Sequence, residues 1–137
     1  MPAVGGDILE ITYNHPTVGT GIWFPKAAED STFDPGGIRT TDDANMVDGS
    51  GKAIYQKNRV RWSFEGTISW DANVANELEQ LQSLAADPVE ADYTITSING
   101  TVWKGKGKPV GDIQGNGNAA TIAVKLSGGG PMKKIAG

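Results

Sequence analysis

The residues with the chemistry to act on a substrate are few, and each falls short of a working constellation. His15 is the only histidine in the chain. It stands before Pro16 in what reads as a turn, and the expectation is an exposed turn residue with no catalytic partner. Gly49-Ser50-Gly51-Lys52 resembles the end of a phosphate-binding loop. That loop needs a glycine five residues before Gly51 and a Ser or Thr after the lysine; Met46 and Ala53 stand there instead. Gly105, Gly107 and Gly111 miss the dinucleotide spacing and lie between strands rather than opening a helix. Asp43, Asn45 and Asp48 lack the spacing and terminal glutamate of a calcium loop. Asp42 and Asp43 sit in a polar stretch, where carboxylates are ordinarily solvated rather than tuned. With no cysteine, thiolate metal sites and disulfides are excluded. No catalytic, metal-binding or cofactor-binding residue is assigned, and the chain is not read as an enzyme.

Binding chemistry gives two further candidates. Lys104, Lys106 and Lys108 share one strand face and could touch phosphate. An overall pI near 4.9 opposes a nucleic-acid binder that works by neutralising backbone charge, and a basic hairpin stripe also protects a sheet edge. Trp23, Trp62, Trp70 and Trp103 could form a sugar-stacking platform. Trp62 and Trp70 share parity with Val60 and Ile68, which places them in a core or an interface instead. Asn99-Gly100-Thr101 matches a glycosylation acceptor, but the start of the chain shows no export signal, so it is read as a turn.

The elements that would carry these residues are mostly strands. Nineteen glycines and seven prolines in 137 residues fit many turns better than a helical bundle, and one domain is expected. Residues 59–70 are the organising stretch. Val60, Trp62, Phe64, Ile68 and Trp70 fall on one parity, and Arg59, Arg61, Ser63, Glu65, Thr67 and Ser69 on the other. This period of two predicts one long strand with an apolar and a polar face, bent or bulged at Gly66. Before it, residues 7–13 and 18–24 predict a hairpin turned at Asn14-His15-Pro16. Residues 26–51 hold no periodic element and read as a long loop, yet carry Phe33, Ile38, Met46 and Val47, which a mere linker would not need. After it, Asp71 is expected to cap a helix over 72–86. Val74, Leu78, Leu81 and Ala85, with Leu84 beside them, would form its apolar stripe, and Asn76, Glu77, Glu79, Gln80 and Gln82 its wet side. A three-strand meander follows, with Asn99-Gly100 as a tight two-residue turn and Ile122, Val124 and Leu126 facing inward. The fold expected is mainly β: a β-sandwich or partly closed barrel of about six or seven strands over residues 1–127, with one helix packed on a sheet and a flexible tail at 128–137. No run is long and apolar enough to span a bilayer.

Charge is segregated along the chain. Residues 1–50 and 71–98 are acidic, and residues 51–70 and 99–137 basic, within a net charge of -4. A solvated surface gives such blocks by chance. A molecule complementary to its own copies gives them for a reason, because opposed patches set register and encounter rate.

The order and spacing of these elements resemble a bacteriophage tail tube protein. The resemblance runs through the amino-terminal hairpin, the long loop, Gly66-Thr67-Ile68-Ser69-Trp70, the helix over 72–86, Gly100-Thr101-Val102-Trp103-Lys104-Gly105, and the glycine-rich finish at 126–135. It implies a β-sandwich that forms six-membered rings, stacked into a hollow tube through which DNA leaves the virion without specific binding. It implies partners in the chain's own copies and in other tail proteins such as a sheath, baseplate or terminator. The protein would then be made in the host cytoplasm and reside in the virion tail, with no membrane. The loop 26–51 would contact the next ring and the tail 128–137 would make a second contact. Phe33, Ile38, Arg39, Met46, Val47, Met132, Lys133 and Lys134 are the contact candidates it implies. A secretion-type tube protein or another tail component shares this logic, and a carbohydrate-binding sandwich is the reading of a different class.

Overall fold

The computed structural model describes residues 5–40, 46–55, 57–71, 73 and 76–137. Thirteen strands and one helix are found among them. β1 (Ile8–His15) and β2 (Gly19–Trp23) form the expected first hairpin, with Ile11 opposite Trp23 and His15 opposite Gly19. β9 (Ala91–Ser97) pairs with β1 on one side and with β10 (Val102–Pro109) on the other. β13 (Lys133–Ala136) adds to the far side of β10, giving the first layer. β12 (Thr121–Gly128), β8 (Trp62–Ser69) and β3 (Thr32–Asp34) make the second, with β11 (Gln114–Asn116) paired to β12. The strand order is β2-β1-β9-β10-β12-β8-β3, all neighbours antiparallel, and the sheet stays open. The fold is a β-sandwich with one helix, as expected.

The layers join where β10 changes partner. Its first six residues pair with β9, whereas Lys108 and Pro109 pair with Ser127 and Leu126 of β12. Glycine makes this crossing possible. A side chain at Gly107 would lie 2.6 Å from Cζ2 of Trp62, and one at Gly128 would strike the Lys106 carbonyl and sit 2.6 Å from the Trp62 indole nitrogen. The Trp62 indole fills the vacated slot and donates to the Lys106 carbonyl at 2.8 Å, tying β8 to β10. On the opposite flank, Lys26 N–H donates to Thr67 O and Ser69 N–H to Phe24 O, so the chain beyond β2 also reaches β8.

Between the layers, Ile11, Trp23, Tyr93 and Ile95 meet Trp62, Phe64, Ile68, Ile122 and Leu126, all fully buried. Burying each such side chain stabilises the fold by roughly 1.5–3 kcal/mol. Aromatic rings run through the centre, Tyr13 to Trp23 at 4.9 Å and Tyr93 to both Trp23 and Trp62 at 6.0 Å. Burial raises the Tyr13 phenol and, more strongly, that of Tyr93, whose hydroxyl finds no hydrogen-bond partner among the described residues.

Several expectations are corrected. The stretch 59–70 is two strands. β7 (Lys57–Val60) ends before Arg61, and β8 pairs with β12 without a register shift, so Gly66 is not a bulge. Gly66 instead receives the Phe64 ring, 3.0 Å from where its side chain would be. The helix, α1 (Glu77–Ala86), starts after Asn76, which sits at a left-handed φ of 48°. Asp71 does not cap it: its carboxylate accepts from Asn73 N–H, and its own N–H donates to Glu77 Oε2 at 2.8 Å. Of the expected apolar stripe, Leu81 and Leu84 are buried, Leu78 packs against the core and Ala85 is half-buried, while Glu77, expected on the wet side, is buried; Ala72 and Val74 lie outside the described residues. Gln80, also expected on the wet side, accepts from the Trp23 indole at 3.0 Å and anchors α1 to the core. At Asn99-Gly100 only Gly100 takes positive φ, so the hairpin closes through a longer turn with Ser97 N–H bonded to Thr101 O. Residues 128–137 are not a loose tail: Met132 is 3% exposed in the core, and β13 extends the first sheet.

His15 is corrected as well. It is 2% exposed. Its Nδ1 accepts from the amides of Thr17 and Val18 at 3.0 Å each, and Nε2 donates to Val89 O at 2.9 Å, with Asp87 Oδ1 3.4 Å away. Pro16 turns the chain so that both amides point back at the ring. The imidazole thus replaces backbone partners for the first hairpin and joins it to the segment after α1, a structural task.

Candidate assembly surface

Residues 26–51, expected as a loop without elements, contain three strands. After β3, Gly36 and Gly37 take φ of 75° and 125°, which only glycine adopts readily, and turn the chain out of the sandwich. β4 (Gly37–Thr40) then pairs with β7 as a separate two-stranded ribbon, Ile38 opposite Arg59 and Arg39 opposite Asn58. Further out, β5 (Met46–Val47) pairs with β6 (Ala53–Ile54). The turn between them is held by Asp48, whose carboxylate accepts from Ser50 N–H, Ser50 Oγ and Lys52 N–H. The described residues between 37 and 60 thus form two short ribbons, β4–β7 and β5–β6, together called the arm.

Its root is crowded and its length is bare. A side chain at Gly36 or at Gly130 would lie 2.7 Å from the Val60 carbonyl, so three chain segments pass within backbone contact there. Met132 N–H donates to Pro35 O at 2.8 Å, fastening the carboxy-terminal segment to the same place. Arg39 grips Asp34 through both guanidinium nitrogens, one bond measuring 2.6 Å, while Asp34 also accepts from Gly36 N–H. Those bonds, led by that from Arg39, hold the Asp34 carboxyl below the usual carboxylate range. The Ser50 hydroxyl, with the turn amides, does the same for Asp48. Beyond the root every described side chain of residues 47–59 is exposed. Ile38, Val47 and Tyr55 are each 68% exposed and Ile54 43%. Four large apolar side chains are thus exposed along this excursion, with Val47 and Ile54 on opposite faces of the β5–β6 ribbon.

The candidates implied by the resemblance are thus divided. Ile38 and Val47 stand free on the arm. Met46 lies in β5, opposite Ile54 in the register, and its side chain lies outside the described residues. Arg39 is on the arm but is engaged by Asp34. Phe33 belongs to the body: it pairs with Phe64 across β3–β8, is half-buried, and meets the Trp103 ring edge-on at 6.1 Å. Met132 is taken out of any surface contact by its burial. Lys133 and Lys134 are exposed on the edge strand β13. Sequence reasoning missed Tyr55 and Ile54, because Ala53-Ile54-Tyr55 reads as a short strand leading into the long one until its partner strand is known.

Sheet B, the layer of β12, β8 and β3, carries the other notable surface. A cleft of about 580 Å3 runs over its outer face, lined by Asp30, Glu65 and Asp112 around Thr67 and Val110, with Lys125 as the one cation. Trp23 and Trp62 are wholly buried and cannot form a stacking platform. Among the described residues no three His, Cys, Asp or Glu converge as a metal site, and no helix is long and apolar enough to cross a membrane. Compared with known protein families and with curated proteins, the sequence matches none.

Proposed function

We propose that this chain is a structural virion protein whose copies close into rings, six-membered by the resemblance, and stack into a hollow tail tube that conducts DNA. The observation that carries the reading is the arm: an excursion with four exposed apolar side chains that the chain's own sandwich leaves uncovered. A monomer derives no benefit from displaying them, whereas a second copy covering them gains their burial. β13 and β3 support it as sheet edges of the kind copies pair through. Two different contacts per copy, one closing and one not, generate a ring and then a filament. An acidic chain also suits a conduit, since a lumen that attracted phosphate would retain its cargo. On this reading the protein performs no catalysis, needs no cofactor, is made in the bacterial cytoplasm and ends in the tail, where a sheath, baseplate or terminator meets the tube.

Negative-stain images of the purified protein test it. Rings or hollow rods are expected; particles that remain single at every attainable concentration would overturn it.

A further inference from the structure

Cations without partners accompany the apolar residues of the arm. Lys52, Lys57 and Arg59 make no ion pair with any described carboxylate. In the β4–β7 register Arg59 lies beside Ile38, and Lys57 lies two residues along on the same face. The β4–β7 ribbon therefore presents unpaired cations beside the exposed apolar Ile38. The cleft on sheet B is its converse. Asp30, Glu65 and Asp112 are exposed and make no ion pair within 4 Å, with Lys125, opposite Glu65 in the register, as the lining's one cation, and the floor is Gly66, Gly111, Ala123 and the Thr67 side chain. Its volume falls within the roughly 300–1,000 Å3 of sites that hold one bound group, enough for a ribbon's side chains and too small for a domain.

Chain order separates the two surfaces. The arm leaves sheet B at the Trp62 end of β8, whereas the cleft is centred on Glu65 and Thr67 further along that strand. The contact is heterologous, one patch meeting a different patch, and a contact of this type propagates when its rotation does not close. Resting on the tube reading, we propose that the arm of one copy docks in the sheet B cleft of the next, with Lys57 and Arg59 facing Glu65 and Asp112 while Tyr55 or Ile38 covers the glycine floor. The basic strand β13 is the competing occupant of the cleft.

The absence of cysteine makes the test clean. Full-length Tyr55→Cys and Thr67→Cys chains are mixed and oxidised, beside control mixtures of Tyr55→Cys with Thr94→Cys on the outer face of the other sheet, and of Lys133→Cys with Thr67→Cys. The arm–cleft pair is expected to cross-link at least about tenfold more than either control. Equal yields, or a dominant Lys133–Thr67 product, would overturn the inference. Charge reversal gives a second measure. Lys57→Glu with Arg59→Glu should raise the concentration needed for rods about tenfold or more, and adding Glu65→Lys with Asp112→Lys in the same chain should restore it. Rods that form without the arm–cleft cross-link would sink this docking while leaving the tube intact. The cross-link in short open chains without rods would retain the docking and sink the tube. A chain that never self-associates would sink both.

Discussion

Two consecutive pieces of chain, β7 and β8, share one alternating pattern and meet opposite fates. In β8, Trp62, Phe64 and Ile68 have no exposed surface at all. In β7, Lys57, Asn58 and Arg59 are exposed on both parities, and only Val60, at its end, is half-buried. Alternation reports that a segment is extended and two-faced; it does not report that a second layer exists to cover the apolar face. β8 has that layer because β12 and β3 flank it and β9 and β10 lie across from it. β7 has only β4, and two strands alone bury little. The break at Arg61, where the chain passes the crowded Gly36 and Gly130 backbone, divides interior from arm.

The largest effect expected from breaking this contrast is at Trp62. Trp62→Ala removes a buried ring and its bond to the Lys106 carbonyl, and should cost about 3–5 kcal/mol in urea unfolding. Tyr55→Ala, an aromatic truncation a few residues away, should stay within about 0.5 kcal/mol in the unassembled protein. Comparable losses at both sites would mean that the arm packs on the body.

A second contrast is between glycines. Gly107→Ala crowds Trp62 and the β12 backbone at the crossing of the layers and should destabilise by about 1–3 kcal/mol. Gly49→Ala in the arm's outer turn meets nothing within 4 Å and should be close to neutral. Thermal melts of the two variants compare them directly, and a neutral Gly107→Ala would show that the crossing is loose.

His15→Ala comes next in size. It leaves the Thr17 and Val18 amides and the Val89 carbonyl without their partner, at a cost of about 1–3 kcal/mol. Reduced hydrogen-exchange protection in the first hairpin, with the arm unaffected, would accompany it.

What was legible in the sequence follows the same boundary. The sandwich could be read because its signals are local: the β1–β2 hairpin, the inward parity of β12, the apolar residues of α1. Where reading failed, the deciding partner was remote in sequence. His15 looked exposed because Val89 and Asp87 lie more than seventy residues away. Glu77 looked wet because its partner is the backbone of Asp71, in a turn that no periodicity marks. The glycines of β10 had no visible purpose until Trp62 was placed between them. In the arm, short strands of two to four residues interrupted by turns leave too few repeats for a period to emerge. The arm's position was legible as an anomaly, a long apolar-bearing stretch without periodicity, while its ribbon pairing was not.

The smallest effect concerns acid. The Arg39 hydrogen bonds to Asp34 and the Ser50 hydroxyl bonded to Asp48 lower both carboxyls in the folded protein. A carboxyl lowered on folding adds stability that is present above its unfolded pKa, near 4, and is lost as pH falls through the folded value. Both groups are exposed, so solvent and salt screen them and the global unfolding midpoint should barely move. The arm, whose root and outer turn they fasten, should respond locally. Amide signals of Gly36 and Ser50 should shift between pH 5 and 2 while that of Ile95, deep in the sandwich, holds its position until global unfolding. Asp34→Asn should abolish the Gly36 step and leave the Ser50 step in place. If all three amides moved together, arm and sandwich would be one cooperative unit, and the division at Arg61 would be one of geometry alone.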